Sequence, residues 1–260
     1  MTRHERLSAI LGMVVEEGTV HIDDIIKRLN ISAATARRDL DLLANQQLVT
    51  RTRGGASANP TSSELPLRYR TTRMADEKTR IARAAAAMVH SGDTIGLNGG
   101  TTTTEVAREL AVLPPEPGSS SDLPITVVTN AVNIASELTV RQRVRVVVTG
   151  GVARARSYEL TGPLSELILP SISVDTLFLG VDALDERGAF AAHEGEAAVN
   201  AALVRAARKV VAVCDHSKLG ATAFARICTP DRLDLVITDE GASPKQISLL
   251  REVGIAVQLV

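Results

Sequence analysis

The chain has 260 residues, 29 Lys and Arg against 30 Asp and Glu, a net charge of −1, and an aromatic complement of only two Tyr and three Phe. That balance excludes a chain coated with nucleic acid along its length, and the scarcity of rings excludes a single-strand binder that stacks bases on them. A hydrophobic share of 45% with 23% charged residues excludes wholesale disorder, and no apolar run reaches the roughly 18 residues of a membrane span.

Three short helical patterns come first. Leu7, Ile10, Leu11 and Val14 fall at i, i+3, i+4 and i+7 within residues 4–16, and Ile22, Ile25, Ile26 and Leu29 mark a second pattern over 23–29. After the turn Asn30-Ile31, Ser32 suits an N-cap, and Ala36, Leu40 and Leu43 share one face of residues 33–46. Residues 48–53 are β-prone and close on Gly54-Gly55, and 57–75 form a polar connector with basic residues in its second half. From residue 76 the rhythm changes. β-Branched runs at 94–97, 125–129, 144–149, 176–181, 210–214, 235–238 and 255–260 alternate with helical stretches at 80–90, 104–110, 131–138, 196–208 and 244–252. This order predicts an α/β fold with a mainly parallel sheet and helices on both faces. The chain thus divides into a head at 1–57, a linker at 58–75 and a larger domain at 76–260. The Pro-rich stretch 114–123 interrupts that domain as an exposed loop.

Helix, turn and a second capped helix form the outline of a helix-turn-helix, with the strand and Gly-Gly as a wing. Burying the apolar face of residues 33–46 turns Ser32, Thr35, Arg37 and Arg38 outward, where residues near a recognition-helix N-terminus meet base edges. Arginine can grip guanine or a phosphate with two parallel hydrogen bonds, and Arg51 and Arg53 on the wing suit a phosphate or minor groove. Asp39 and Asp41 are the alternative partners for Arg37 and Arg38. The basic residues collect in the last half of the head, the electrostatic footprint of a small double-stranded DNA reader.

Ser32-Ala-Ala-Thr-Ala-Arg-Arg-Asp-Leu40, followed by Leu48-Val-Thr-Arg-Thr-Arg-Gly-Gly-Ala56, resembles the DeoR family of bacterial transcriptional regulators. The resemblance implies a winged helix-turn-helix head and a C-terminal domain that senses a phosphorylated sugar. Ala36 is a departure, standing where the family usually has a larger aliphatic residue.

Asn98-Gly-Gly-Thr-Thr-Thr-Thr104 lies between a predicted strand and a predicted helix. Glycines there let backbone approach an anion, and Thr hydroxyls with the helix N-terminus donate to it, so Gly100, Thr101, Thr102 and Thr103 are a candidate phosphate cradle. A polar helix start with stacked caps accounts for the same residues. The stretch matches neither a Walker loop nor Gly-x-Gly-x-x-Gly, so no nucleotide cofactor is expected. Other strand ends carry polar groups: Asn130, Gly151 with Arg154, Asp182, and Asp215-His-Ser-Lys218. In open α/β sheets ligands sit at the carboxyl ends of strands. Arg154 or Lys218 would neutralise a phosphate there, and Asn130, Asp182 and Glu196 would accept sugar hydroxyls. These segments look like the family's sensor motifs in family order. Asn200 departs from them, standing where many members have lysine, one turn from Glu196.

The resemblance implies an operator-binding repressor of carbohydrate genes released by a phosphorylated sugar. Two heads reading repeated half-sites require a homodimer or homotetramer. The sensor fold is similar to ribose-5-phosphate isomerase, which raises an alternative, a sugar-phosphate enzyme with a DNA-binding appendage and Asp182 as nominal base. The attached head favours sensing, and a fold alone does not establish function, so no catalytic residue is assigned. His193-x-x-Glu196 and Cys214-Asp215-His216 lack paired metal-ligand spacing, so no metal is expected. The basic run Arg68, Arg70, Arg73, Lys78, Arg80 and Arg83 reads as a solvated linker and helix face. Two cysteines, Cys214 and Cys228, cannot supply a disulfide framework, and the N-terminus carries no secretory signal; both point to the cytoplasm, with no membrane.

Overall fold

Apolar residues at helical spacing close the N-terminal unit around one small core. Leu7, Ile10, Leu11 and Val14 of α1 (Arg3–Glu17), Ile25 of α2 (Ile22–Leu29) and Ala36, Leu40 and Leu43 of α3 (Ala33–Asn45) meet there. Thr2 and Glu5 form a capping box that starts α1, Asn30 ends α2 in the left-handed conformation, and Ser32 caps α3. The computed structural model describes residues 1–46, 48–58, 67, 74–113 and 123–260, and it separates into two units, Met1–Arg73 and Met74–Val260. Most of the expected 58–75 linker and 114–123 loop, with Arg68, Arg70 and Arg73, lies outside the described residues.

The wing has three strands in the order β1-β3-β2, all antiparallel: β1 (Thr19–His21), β2 (Val49–Thr52) and β3 (Gly55–Ala58). The periodicity missed β1, because three residues are too few to register and only pairing with β3 makes them a strand. Gly54-Gly55 also divides its role. Thr52 pairs with Gly55, so Arg53-Gly54 is the turn and Gly55 already belongs to β3. A Cβ on Gly55 would fall 1.9 Å from the Val20 carbonyl oxygen, so glycine is what lets β3 lie against β1.

The second unit is built on a seven-stranded, wholly parallel sheet. Its strands are β4 (Thr94–Leu97), β5 (Ile125–Thr129), β6 (Val144–Val148), β9 (Val174–Gly180), β12 (Ala207–Val213), β14 (Leu235–Thr238) and β15 (Ala256–Leu259), in the order β15-β14-β12-β9-β4-β5-β6. Both faces are buried, as in parallel sheets generally: Leu177 and Leu179 of β9 join one apolar cluster and Phe178 the other. On the Phe178 side pack α4 (Ala75–Ala86), α5 (Thr101–Leu110) and α6 (Val132–Thr139); on the other pack α8 (Glu194–Ala206) and α9 (Pro244–Glu252).

The remaining pieces are a hairpin of β7 (Val152–Ala153) and β8 (Leu160–Thr161), the short helix α7 (Pro163–Glu166), and a small antiparallel sheet of β10 (Ala183–Asp185), β11 (Gly188–Ala191) and β13 (Ala225–Cys228). Strand order reverses between β4 and β9. From β4 the chain steps outward through β5 to β6, then returns to β4's other side and steps out through β12, β14 and β15. Three boundaries shift from the sequence pattern. Helix α4 starts at Ala75 rather than 80, with Asp76 and Glu77 in its first turn; α5 takes in Thr101–Thr103; and α8 yields to β12 at Ala207. Lys78 is buried in α4 rather than part of a solvated basic face, and Arg83 pairs with Glu109.

Asp39 is buried in α3 and receives Arg6 Nε and Nη2 from α1, which ties the two helices together. Replacing Arg6 with Ala leaves that acceptor buried without its donor, a change worth about 1–3 kcal/mol. We expect R6A to unfold its N-terminal unit at lower denaturant; an unchanged midpoint would show that the pair carries no stability.

Candidate functional site

The head presents a capped helix with unpartnered cations. Ser32 Oγ accepts the Thr35 N–H at 3.2 Å and lies 2.9 Å from Thr35 Oγ1, so both side chains fix the start of α3. Asp39, expected as a possible partner for Arg37 or Arg38, is taken by Arg6. Arg37 and Arg38 are exposed and have no ion-pair partner among the described residues. The two wing arginines differ. Arg53 occupies the exposed turn, whereas Arg51 donates to the Gly55 carbonyl at 2.8 Å and pairs with Asp41 at 3.1 Å. Arg51 therefore braces the hairpin against α3, and Arg53 is the wing's free cation among the described residues.

In the second unit the reversal between β4 and β9 opens a crevice at the carboxyl ends of the strands, where ligands of such sheets sit. Asn98 follows β4 and closes the base of that crevice. Its Nδ2 donates to the Gly180 carbonyl at 2.9 Å and its Oδ1 accepts the Gly180 N–H at 2.7 Å, extending the sheet by one side chain. Helix α5 starts immediately above. Gly100 supplies no side-chain cap, and the first helical bond is Thr104 N–H to Gly100 O. The N–H groups of Thr101, Thr102 and Thr103 are thus left to an outside acceptor, at the positive end of the helix dipole. The Thr hydroxyls divide: Thr103 and Thr104 donate back to Gly100 O, leaving those of Thr101 and Thr102 for the crevice.

A buried polar cluster stands beside this turn. Asn130, at the end of β5, donates through Nδ2 to Glu159 Oε2 at 2.9 Å. Glu159 belongs to the β7–β8 hairpin, which is stitched to the end of β5 by Leu160 N–H to Asn130 O and Val132 N–H to Tyr158 O. Its side chain presses on Gly99, where a Cβ would fall 2.3 Å from Glu159 Cγ. Arg154, on the same hairpin, lies 3.4 Å from Glu196 Oε1 at the start of α8. Asp182 gives Oδ2 to the Ala192 N–H, so only part of that carboxylate faces other groups. Gly151 sits at φ +112°, where a Cβ would lie 2.1 Å from Ser165 Oγ; it shapes the hairpin's entry.

Glu159 was not legible as a site residue, since an irregular hairpin carries no periodicity and nothing in the spacing aims it at Gly99. Burial, with the neighbouring charges of Glu196 and Asp182, pushes its carboxyl up to about 8, against the opposing pull of Asn130 and Arg154.

Lys218 lies in a short 3-10 turn after β12, beside β9 in the sheet, and has no ion-pair partner among the described residues. Asp215 caps that turn through the Ser217 N–H, and His216 Nδ1 lies 2.6 Å from Asp239 Oδ2. Burial raises the Asp239 carboxyl, but the His216 N–H and imidazole and the Gly241 N–H outweigh it and hold the group low. Burial likewise pushes the Cys214 thiol up to about 12, an inert hydrophobe rather than a ligand. His193 caps α8 by accepting the Gly195 N–H, and no group of three metal-ligating side chains occurs among the described residues. Nor, among those residues, is any helix long and apolar enough to cross a membrane.

Two family models match the chain. The DeoR-like helix-turn-helix domain covers residues 6–62 and the DeoR C terminal sensor domain covers residues 73–240. The HTH-type transcriptional repressor GlcR of Bacillus subtilis is 34% identical over 241 residues, 92% of this chain and 89% of that protein. The glycerol-3-phosphate regulon repressor of Escherichia coli K12 is 30% identical over 252 residues, 96% of this chain and 95% of that protein. Among solved structures, ribose 5-phosphate isomerase of Methanocaldococcus jannaschii matches 56% of this chain and 54% of its own, at 22% identity and a TM-score of 0.39.

A carboxyl raised in the folded state binds a proton there that the unfolded chain has already lost. Glu159 therefore costs stability as pH rises from its ordinary 4.5 towards about 8. The second unit of E159Q should lose less melting temperature than wild type across that window; parallel curves would show that Glu159 ionises as an exposed carboxyl does.

Proposed function

The chain belongs to the DeoR family of DNA-binding transcriptional regulators, and from that premise we propose that it represses carbohydrate-metabolism genes and releases its operator when a phosphorylated sugar binds the larger unit. The observation that carries the sensing half is the uncapped start of α5 at the sheet's switch point. The N–H groups of Thr101, Thr102 and Thr103, following Gly100, hold the phosphate, with the charge of Lys218 or Arg154 nearby. Asn130, Asp182 and Glu196 accept from the sugar. In the head, Arg37 and Arg38 read base edges or phosphates in the major groove, and Arg53 reaches from the wing.

Release is a population shift: the effector binds better to the arrangement that cannot hold the operator. The reader of two half-sites is a homodimer or homotetramer, acting in the cytoplasm. The relatives' names, repressors in both bacteria, support the sign of regulation. The matched family and relatives are regulators, which favours this reading over the isomerase alternative.

Replacing Arg38 with Ala should weaken operator binding at least about tenfold, within the 1–3 kcal/mol of a good bidentate base contact, and leave effector binding intact. Equal affinity in a salt-controlled shift assay would contradict the assignment. The double replacement of Thr102 and Lys218 with Ala should do the opposite, keeping the operator complex but making it unresponsive to the effector. A normal response from that variant would displace the phosphate site from α5.

A further inference from the structure

The buried polar atoms that lack a partner are unevenly divided between donors and acceptors. Around the Glu159 cluster two acceptors, Asn130 Oδ1 and Asn200 Oδ1, have no hydrogen-bond partner among the described residues, while Arg154 Nη1 and Glu196 Oε1 meet only each other in an ion pair at 3.4 Å. Asn130 is fully buried, and its orientation is fixed because Nδ2 already donates to Glu159. Asn200 is buried one turn along α8 from Glu196, on the same face of the helix. Glu159 accepts the Asn130 amide through Oε2. The charges are uneven as well: Glu196 and Asp182 raise the Glu159 carboxyl, Arg154 opposes them, and Arg154 already lies 3.4 Å from Glu196 Oε1.

A neutral sugar hydroxyl answers this poorly. It brings one donor but also an oxygen that must itself be solvated, and it leaves the charge untouched. An ammonium brings three donors, no acceptor and a positive charge, which matches what the cluster lacks on both counts. Glu159 presses on Gly99, next to the anion-binding turn at Gly100, so a single small molecule can touch the turn with a phosphate and the cluster with an amine.

Resting on the sensor reading above, we propose that the effector is an amino-sugar phosphate, its ammonium seated among Glu159, Glu196, Asn130 and Asn200. The cation also separates the ligand's phosphate from the carboxylates, which otherwise repel it. Without a ligand, Glu159 meets the same charge excess by holding a proton, consistent with its raised carboxyl. The ammonium takes over that role when bound.

The test is calorimetric titration of the full chain at about pH 6.5, where an alkylammonium stays protonated. Three probes share one hexose skeleton: glucosamine 6-phosphate, its N-acetyl derivative and glucose 6-phosphate. The amine should bind at least about tenfold tighter than either neutral probe, the scale of one charged hydrogen bond. E159Q and E196Q should bring that ratio towards unity. N200K supplies the cation from the protein and should reverse the preference towards glucose 6-phosphate, which keeps the test decisive if a Glu variant folds poorly. Glucose 6-phosphate binding as tightly as the amine would overturn this inference and leave the sensor reading standing. No binding by any of the three, in a chain that still holds its operator, would take down both.

Discussion

The two hydrogen bonds between the Asn98 amide and the Gly180 backbone join β4 to β9 beyond their last paired residues, Leu97 and Phe178, where strand order reverses. Strands β4 and β9 are neighbours, yet the chain leaves them towards opposite edges of the sheet. A buried unpaired N–H or C=O costs about as much as a lost hydrogen bond, and a side-chain amide is the smallest group that satisfies one of each. Asn98 supplies it, and its place in the chain then positions the rest of the crevice. Three residues later α5 begins with no side-chain cap. On the far side of β4, the end of β5 delivers Asn130 and, through it, the hairpin carrying Arg154 and Glu159. The uncapped start of α5 and the Glu159 cluster thus stand at the carboxyl ends of the neighbouring strands β4 and β5.

An uncapped helix start and a carboxylate cluster stand side by side here, Glu159 pressing on Gly99. The start of α5 favours negative charge, while Glu196 and Asp182 favour a proton on Glu159, with Arg154 opposing them. A site with both signs discriminates: it rejects a bare anion and favours a ligand whose charges are spaced to match. The head solves the opposite problem with the same economy. Its acidic residues Asp39 and Asp41 are engaged by Arg6 and Arg51, and Arg37, Arg38 and Arg53 have no ion-pair partner among the described residues. A net charge of −1 for the whole chain thus coexists with exposed cations on α3 and the wing turn.

Where the sequence carried a period, it was readable. The spacing of Leu7, Ile10, Leu11 and Val14 located α1, and the β-branched runs located each of the seven parallel strands, because burial of a repeated face leaves a repeated pattern. The turn after β4 was readable for a different reason: Gly-Gly-Thr between an apolar run and a helical pattern marks a strand-to-helix junction, and α5 does open there. The features that escaped depend on pairing between distant segments. β1 exists only because Gly55 lets β3 approach it. Arg51 and Arg53 look alike two residues apart, yet pleat and turn make one a brace and the other a free cation. Glu159 sits in a hairpin whose position is set by backbone bonds to Asn130 and Val132, and no local signal could aim it at Gly99. Asn200, in sequence only a departure from the family's lysine, gains meaning from its unpartnered oxygen beside that cluster.

Control of DNA binding in the head by a phosphate group at the start of α5 is tested most directly by fluorescence anisotropy. A labelled duplex from the protein's own upstream region is titrated with phosphorylated sugars and with their unphosphorylated counterparts. At least one phosphorylated sugar should release the duplex at concentrations where its unphosphorylated form does nothing. Release by both forms alike, or by neither across the panel, would contradict that control.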